Sequence, residues 1–229
     1  LHKYLAVIPA REGSKRIPDK NLLSIGNRSL IQRAADSVRE SEIYKNGEVR
    51  LVCCTNSARC RALAVSAEIE LVEPPPWFGL GPRSLNETLD YIHGSAGEEI
   101  ALLVLPTLPF RRGRIFDAVA GTLDRRPDVD VAMSMVETPV PIEWAFRQNG
   151  HGVYKQAEFP DGTPIETPDP TYYHDGQVYA IRTSALAQTK TVFGGGGVAG
   201  VPSRWPDNFD LDWPWQVEIA QIMAAGGNL

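Results

Sequence analysis

Four cationic side chains, Arg11, Lys15, Arg16 and Lys20, fall within ten residues of a chain whose net charge is −5. Gly13 and Ser14 stand among them, directly after the apolar run 4–8. Such a loop can hold a phosphate chain, because glycine lets backbone N–H groups approach closely and fixed cations neutralise the charge. The spacing is not that of a Walker loop, since G-x-x-x-x-G-K-[ST] is absent, nor of a Rossmann fingerprint, since only one glycine is present. The plainer alternative is a solvated basic turn. Far along the chain, Asp210 and Asp212 stand two apart, so an extended segment projects both carboxylates from one face. There they can share one Mg²⁺, a hard cation that takes a few carboxylate oxygens and completes its shell with phosphate and water. Asp212 also has a structural role open to it, as N-cap of a helix beginning at Trp213-Pro214.

These groups need a scaffold that brings the two ends of the chain together. Short apolar runs alternate with amphipathic stretches: 4–8 then 29–40, 49–54 then 57–67, 69–72 then 84–93, 100–105 then 114–125, and 129–136. Leu30, Ile31, Ala34, Ala35 and Val38 fall at helical spacing and make one stripe for packing on a sheet. The alternation predicts an α/β fold, a three-layer sandwich with a mostly parallel sheet, whose ligands bind beyond the carboxyl ends of the strands. The loops 9–20, 55–57, 74–83 and 106–113 are therefore the places to look. Over 137–174 the pattern changes to proline, glycine and single aromatics, which predicts an inserted arm with hairpin pieces at 145–148 and 152–155. An arm that cannot bury itself needs a partner surface, so a second subunit is expected there. The glycine run 194–197 predicts a mobile loop, and 213–224 a closing helix with Trp215, Ile219, Ile222 and Met223 inward.

Composition removes several classes. A chain of 229 residues suits a single domain, 1–229, that buries roughly 70 to 75% of its extended surface. With 28 acidic against 23 basic residues it lacks the basic balance of a nucleic-acid binder. No apolar run nears 18 residues and 1–16 has no secretory pattern, so no membrane partner and a cytoplasmic location are expected. Cys53, Cys54 and Cys60 have neither zinc nor disulfide spacing and read as small buried hydrophobes. His2, His93 and His151 read as surface residues.

Residues 10–22, Ala-Arg-Glu-Gly-Ser-Lys-Arg-Ile-Pro-Asp-Lys-Asn-Leu, resemble at every fixed position the A-R-x-G-S-K-x-I-P-x-K-N-L opening of the acylneuraminate cytidylyltransferase family. The similar enzymes for the eight-carbon sugar Kdo carry a G-S-T-R-L-P-G-K form instead, so Lys15 and Lys20-Asn21 favour the nine-carbon branch. The likeness continues at lower density. Residues 105–111 resemble the family's Q-P-T-S-P-L-R loop, 172–179 its Y-x-P-N-G-x-x-Y segment, and Phe209-Asp210-Leu211-Asp212 its I-D-I-D metal motif. His174, Asp175 and Gln177, with Pro141-Ile142, are also similar to the pseudaminic acid branch, although the chain is one residue shorter there.

The resemblance implies a nucleotide-diphospho-sugar transferase fold, a dimerisation arm, and Mg²⁺-dependent transfer of CMP from CTP to the anomeric hydroxyl of a sialic-acid-like nonulosonic acid. It implies CTP contacts from Ala10, Arg11, Gly13, Ser14, Lys15, Lys20, Asn21, Thr55, Asn56, Pro106 and Thr107. Arg111, His174, Asp175, Gln177 and Tyr179 would face the sugar, Asp210 and Asp212 would hold the metal, and with Lys15 and Lys20 would be catalytic. The chain departs from the family pattern at Leu105 and Leu108, where the family has glutamine and a hydroxyl, and at Asp175, where it has asparagine. Those departures keep open a catalytically idle nucleotide-binding relative. A transferase acting on a sugar phosphate is the other alternative, though its G-x-G-T-R-x-x-P-x-T loop is not found.

Overall fold

In a computed structural model the described residues are 2–78, 85–93, 97–140, 145–148, 154–156, 170–193 and 197–226. In chain order the elements are β1 (Tyr4–Pro9), a 3₁₀ turn (Lys20–Leu22), β2 (Ser24–Ile25), β3 (Arg28–Ser29), α1 (Leu30–Glu40), α2 (Glu42–Lys45), β4 (Val49–Cys54), α3 (Ala58–Ser66) and β5 (Glu70–Val72). There follow α4 (Leu85–His93), β6 (Ile100–Leu103), α5 (Arg114–Arg125), β7 (Val131–Glu137), β8 (Phe146–Gln148), β9 (Tyr154–Gln156), β10 (Tyr172–Arg182), α6 (Thr183–Thr189), β11 (Val198–Pro202) and α7 (Pro214–Ala225).

One seven-stranded sheet has the order β11-β7-β10-β6-β1-β4-β5. Every neighbouring pair is parallel except those of β10, which runs antiparallel to both β6 and β7. The expected three-layer α/β sandwich is found. All six residues of β1 are buried, and alternate side chains serve opposite layers. Tyr4, Ala6 and Ile8 join α1, α3 and α5 on one side, whereas Leu5 and Val7 join α4 and α6 on the other. The α1 stripe is buried as read, and the helix starts where Ser29 and Gln32 cap one another reciprocally. A third, smaller cluster of Ile17, Ile25, Leu30, Phe110, Leu211 and Ala220 lies beyond the carboxyl ends of the strands. It fastens the loop after β1, the loop after β6 and the approach to α7 to each other, which is how residues from the two ends of the chain become neighbours.

Several expectations need correction. Only Met223 of the four residues assigned to the inner side of α7 packs inward; Trp215, Ile219 and Ile222 are exposed. The helix is apolar on most sides, so periodicity could not choose a face. Small Ala220 does, with Val217 and Ala224, while Gln221 bonds Gly26 N and Ser24 O of the β2–β3 hairpin. Residues 172–174, placed in the inserted segment, pair with β7 in the main sheet. Within that segment β8 and β9 form an antiparallel hairpin. His151, Pro141-Ile142 and residues 194–196 of the glycine run lie outside the described residues.

Candidate active site

The loop after β1 is held from below. The backbone N–H of Ala10 donates to Cys54 O (2.8 Å), extending the β1–β4 ladder, and the buried Thr55 hydroxyl donates to Ala10 O (2.5 Å). Asn21 Nδ2 donates to Arg11 O (3.0 Å), closing the loop across its base. Asn56 accepts from Glu12 N (3.1 Å) and donates to Phe78 O (3.3 Å), so it ties this loop to the one after β5. Gly13 has φ +82°, a conformation that side chains resist, and a Cβ there would meet nothing within 4 Å. The backbone there thus faces open space. Ser14 is half-buried, and Arg11 and Lys15 are exposed.

At the other end of the chain, Leu211 is fully buried and its N–H donates to Thr107 O (3.0 Å). The acids on either side of it meet the cationic loop. Lys20 Nζ donates to Leu211 O (2.7 Å) and Asp212 Oδ1 (3.2 Å), and Arg16 Nη1 lies 3.2 Å from Asp212 Oδ2. Asp212 is not the helix cap: Trp213 stands at that position, and Gln216 Oε1 reaches back to accept from both Asp212 N and Trp213 N (2.7 Å each). Both carboxylate oxygens of Asp212 are therefore left for cations. Burial pushes the Asp210 carboxyl above its usual range, opposed by a hydrogen bond from the Thr107 side chain and by the charge of Lys20. Asp210 Oδ1 is buried with no hydrogen-bond partner. An orphaned carboxylate oxygen beside a second acid fits a hard cation whose remaining ligands are phosphate and water. Among the described residues no group of three or more His, Cys, Asp or Glu could hold a metal.

The residues expected around the sugar separate into two sets. His174 and Tyr179 face the α4–α6 side, where Tyr179 Oη and His174 Nδ1 are 2.7 Å apart and both rings meet Phe193. Burial lifts the Tyr179 phenol to about 12. Asp175, Gln177 and Arg111 are instead inside, towards α5. Asp175 Oδ1 accepts from Ser134 Oγ (2.5 Å) and Gln177 N (3.0 Å), while Oδ2 accepts from Gln177 Nε2 (2.8 Å) and Ser203 Oγ. Arg111, 4% exposed, donates through Nη1 to Leu105 O (2.9 Å) and Gln177 O (2.6 Å) and through Nε to Ser37 Oγ (3.1 Å). Burial lowers its pKa to about 9, which still leaves it charged at neutral pH. These three were expected on the sugar; their geometry is that of a buried brace between the loop after β6 and the turn in β10. Gln177 also lines a cleft of about 440 Å³ with Arg114, Ser203 and Arg204, away from His174.

The two leucine departures are part of this brace. A Cβ on Gly176, which has φ +84°, would lie 3.5 Å from Leu105 Cδ1 and 3.6 Å from Leu108 Cδ1, so both side chains pack on the β10 turn. Pro106 is buried and Thr107 is half-buried beside Asp210. Ser134, Ser203, Phe193 and Gln216 escaped the sequence reading, since nothing in their spacing marks them. The cysteines are buried free thiols, Cys53 and Cys54 pushed up to about 12 by desolvation.

The chain is similar to known proteins in sequence and in fold. The chain is 28% identical over 238 residues to the 3-deoxy-manno-octulosonate cytidylyltransferase of Chlamydia abortus, spanning 100% of this chain and 85% of that protein. To the N-acylneuraminate cytidylyltransferase of Streptococcus agalactiae it is 23% identical over 193 residues, 83% of this chain and 46% of that protein. The structure of a CMP:2-keto-3-deoxy-manno-octonic acid synthetase complexed with CTP shares the fold with TM-score 0.74 and 17% identity, covering 98% of this chain and 99% of that one. The 4-diphosphocytidyl-2C-methyl-D-erythritol synthase of Anaerococcus prevotii does so with TM-score 0.67 and 10% identity, again over 98% and 99%. The two relatives carry different acceptor names, and neither is a pseudaminic acid enzyme. The cytidylyltransferase family itself matches residues 5–186, from β1 into α6, and the chain therefore belongs to that family and is a nucleotidyltransferase enzyme.

Proposed function

We propose that this enzyme transfers CMP from CTP to the anomeric hydroxyl of a nine-carbon 2-keto sugar acid, with Mg²⁺ as cofactor. The observation that carries this reading is the meeting of Lys20 with Asp212, an early cation and a late acid separated by 192 positions. The acceptor oxygen attacks the α-phosphorus, the bond to the β-phosphate bridging oxygen breaks, pyrophosphate leaves, and the hydroxyl proton passes to solvent. In such transfers alignment and charge neutralisation dominate. Lys15, Lys20 and Arg11 grip the triphosphate and stabilise the departing charge. Ala10, Gly13, Ser14, Asn21, Thr55, Asn56, Pro106 and Thr107 shape the nucleotide side. Asp210 and Asp212 hold Mg²⁺, which when bound neutralises the α-phosphate and acidifies the sugar hydroxyl.

The nine-carbon preference rests on Lys15 and Lys20-Asn21 in the first loop, and His174 with Tyr179 offers the acceptor a hydrogen-bonding aromatic wall. We place the enzyme in the cytoplasm as a homodimer closed by the β8–β9 arm, a reading supported by three free thiols and by a two-stranded hairpin too small to be stable alone. The test is pyrophosphate release from CTP and Mg²⁺ with a panel of nonulosonic acids and the eight-carbon acid, with ATP, GTP and UTP as controls. Turnover is expected with CTP and a nine-carbon acid. Turnover with the eight-carbon acid alone would overturn the acceptor, and tight CTP binding without turnover on any acceptor would mark an idle relative.

A further inference from the structure

Arg16 occupies a position that the family motif leaves open, and nothing in the mechanism above uses it. Its guanidinium lies 3.2 Å from Asp212 Oδ2 and 5.2 Å from the centre of the Trp213 ring, which is itself half exposed. Asp212 Oδ1 is held by Lys20 at the same time. The acid assigned to the metal is thus paired with two cations of the loop assigned to the triphosphate. We propose that Arg16, seated on Trp213, is a positioning residue that latches Asp212 in the ligand-free enzyme and makes its metal site depend on the nucleotide.

The physical reason is an exchange of partners. A divalent cation arriving alone competes with Arg16 and Lys20 for Asp212. A triphosphate arriving alone draws those cations away and leaves the carboxylate unpaired beside anionic oxygens. Arriving together, the two ligands satisfy every charge, so each raises the affinity of the other by the same factor. The Arg16 side chain is 50% exposed and Asp212 36% exposed, so the latch is weak enough to open. The ring of Trp213 favours the closed position by stacking without altering the net charge.

This inference rests on the assignment of Asp210 and Asp212 to the metal, and the experiment separates the two. Mn²⁺ is titrated into the intact enzyme, by calorimetry and by loss of its free paramagnetic signal, with and without CTP. Without CTP, Arg16→Met and Trp213→Ala are each expected to bind Mn²⁺ about two- to fivefold more tightly than the parent, the range that an exposed ion pair and its support are worth. Arg59→Met, which removes a charge paired with Asp19 in the same region, serves as the control and is expected to stay within about 1.5-fold. Addition of CTP with Mg²⁺ should also change the tryptophan fluorescence as Arg16 leaves the ring, a change lost in Trp213→Phe. Equal Mn²⁺ affinities in the parent, Arg16→Met and Trp213→Ala would overturn the latch while leaving the metal site standing. Tightening in Arg16→Met and Arg59→Met alike, with Trp213→Ala unmoved, would reduce it to bulk charge and also overturn it. No Mn²⁺ binding even with CTP would remove the metal assignment and the latch together.

Discussion

The Asp212 side and the β10 side of this site are built from similar polar residues in opposite ways. Around Asp212 the partners are the half-exposed Arg16 and the largely buried Lys20, each at 3.2 Å, with a carboxylate oxygen of Asp210 left unmatched nearby. Around Asp175 four donors converge on one buried carboxylate, from Ser134, Ser203 and Gln177, and Arg111 clamps the same turn by its carbonyl. An exposed pair costs little to break and reform, whereas a buried, fully bonded acid loses several bonds at once. The first arrangement suits groups that must change partners in each turnover, and the second suits groups that must stay put. An aspartate in a family-like motif can therefore be a tool or a brace, and its neighbours decide which.

The comparison breaks most sharply at the acids. Asp210→Asn with Asp212→Asn is expected to lower turnover with CTP and the preferred acceptor at least about 10³-fold, roughly 4 kcal/mol of transition-state stabilisation. Its unfolding midpoint should stay within a few degrees of the parent's, because the charge removed at Asp210 is one that burial already disfavours. Kinetics and a thermal melt on one preparation decide the matter; full Mg²⁺-dependent turnover would end the metal assignment. Asp175→Ala should do the reverse. It strands the Ser134, Ser203 and Gln177 donors, at a cost of about 3 kcal/mol, and lowers the midpoint by about 6–12 °C. The acceptor KM, measured well below that midpoint, is expected to remain within about twofold. A large rise in the acceptor KM without loss of stability would return Asp175 to the sugar side.

The same contrast explains what could be read from the sequence. Strands β1 and β6 are continuous apolar runs, and β4 and β7 largely so apart from Arg50 and from Ser134 and Glu137, because helices cover both faces of the sheet, and α1 and α5 carry one clear stripe each. The first loop was legible because its function needs glycine and cations close together in sequence. β10 was not, since Asp175-Gly176-Gln177 interrupts its apolar pattern with a positive φ and a polar brace. That brace depends on Ser134 and Ser203, 41 and 28 residues away from Asp175, and no local spacing encodes such a meeting. Helix α7 failed for another reason: with apolar residues almost all round, only the shape of the surface it meets selects Ala220.

Tyr179 gives the finest test, because it touches the expected acceptor wall without belonging to the brace. Burial holds its phenol protonated, and Tyr179 Oη shares a 2.7 Å hydrogen bond with His174 Nδ1 that orients the imidazole ring. Tyr179→Phe keeps the ring that packs against Phe193 and removes only the hydroxyl. A lost hydrogen bond of about 1 kcal/mol corresponds to roughly a fivefold rise in the acceptor KM, with kcat and the KM for CTP within about twofold of the parent. Steady-state kinetics with each substrate varied in turn measures the split. If the KM for CTP rose instead, the His174–Tyr179 wall would belong to the nucleotide, and the acceptor would have to lie on the α5 side of β10, where Gln177 and Arg204 line the cleft of about 440 Å³.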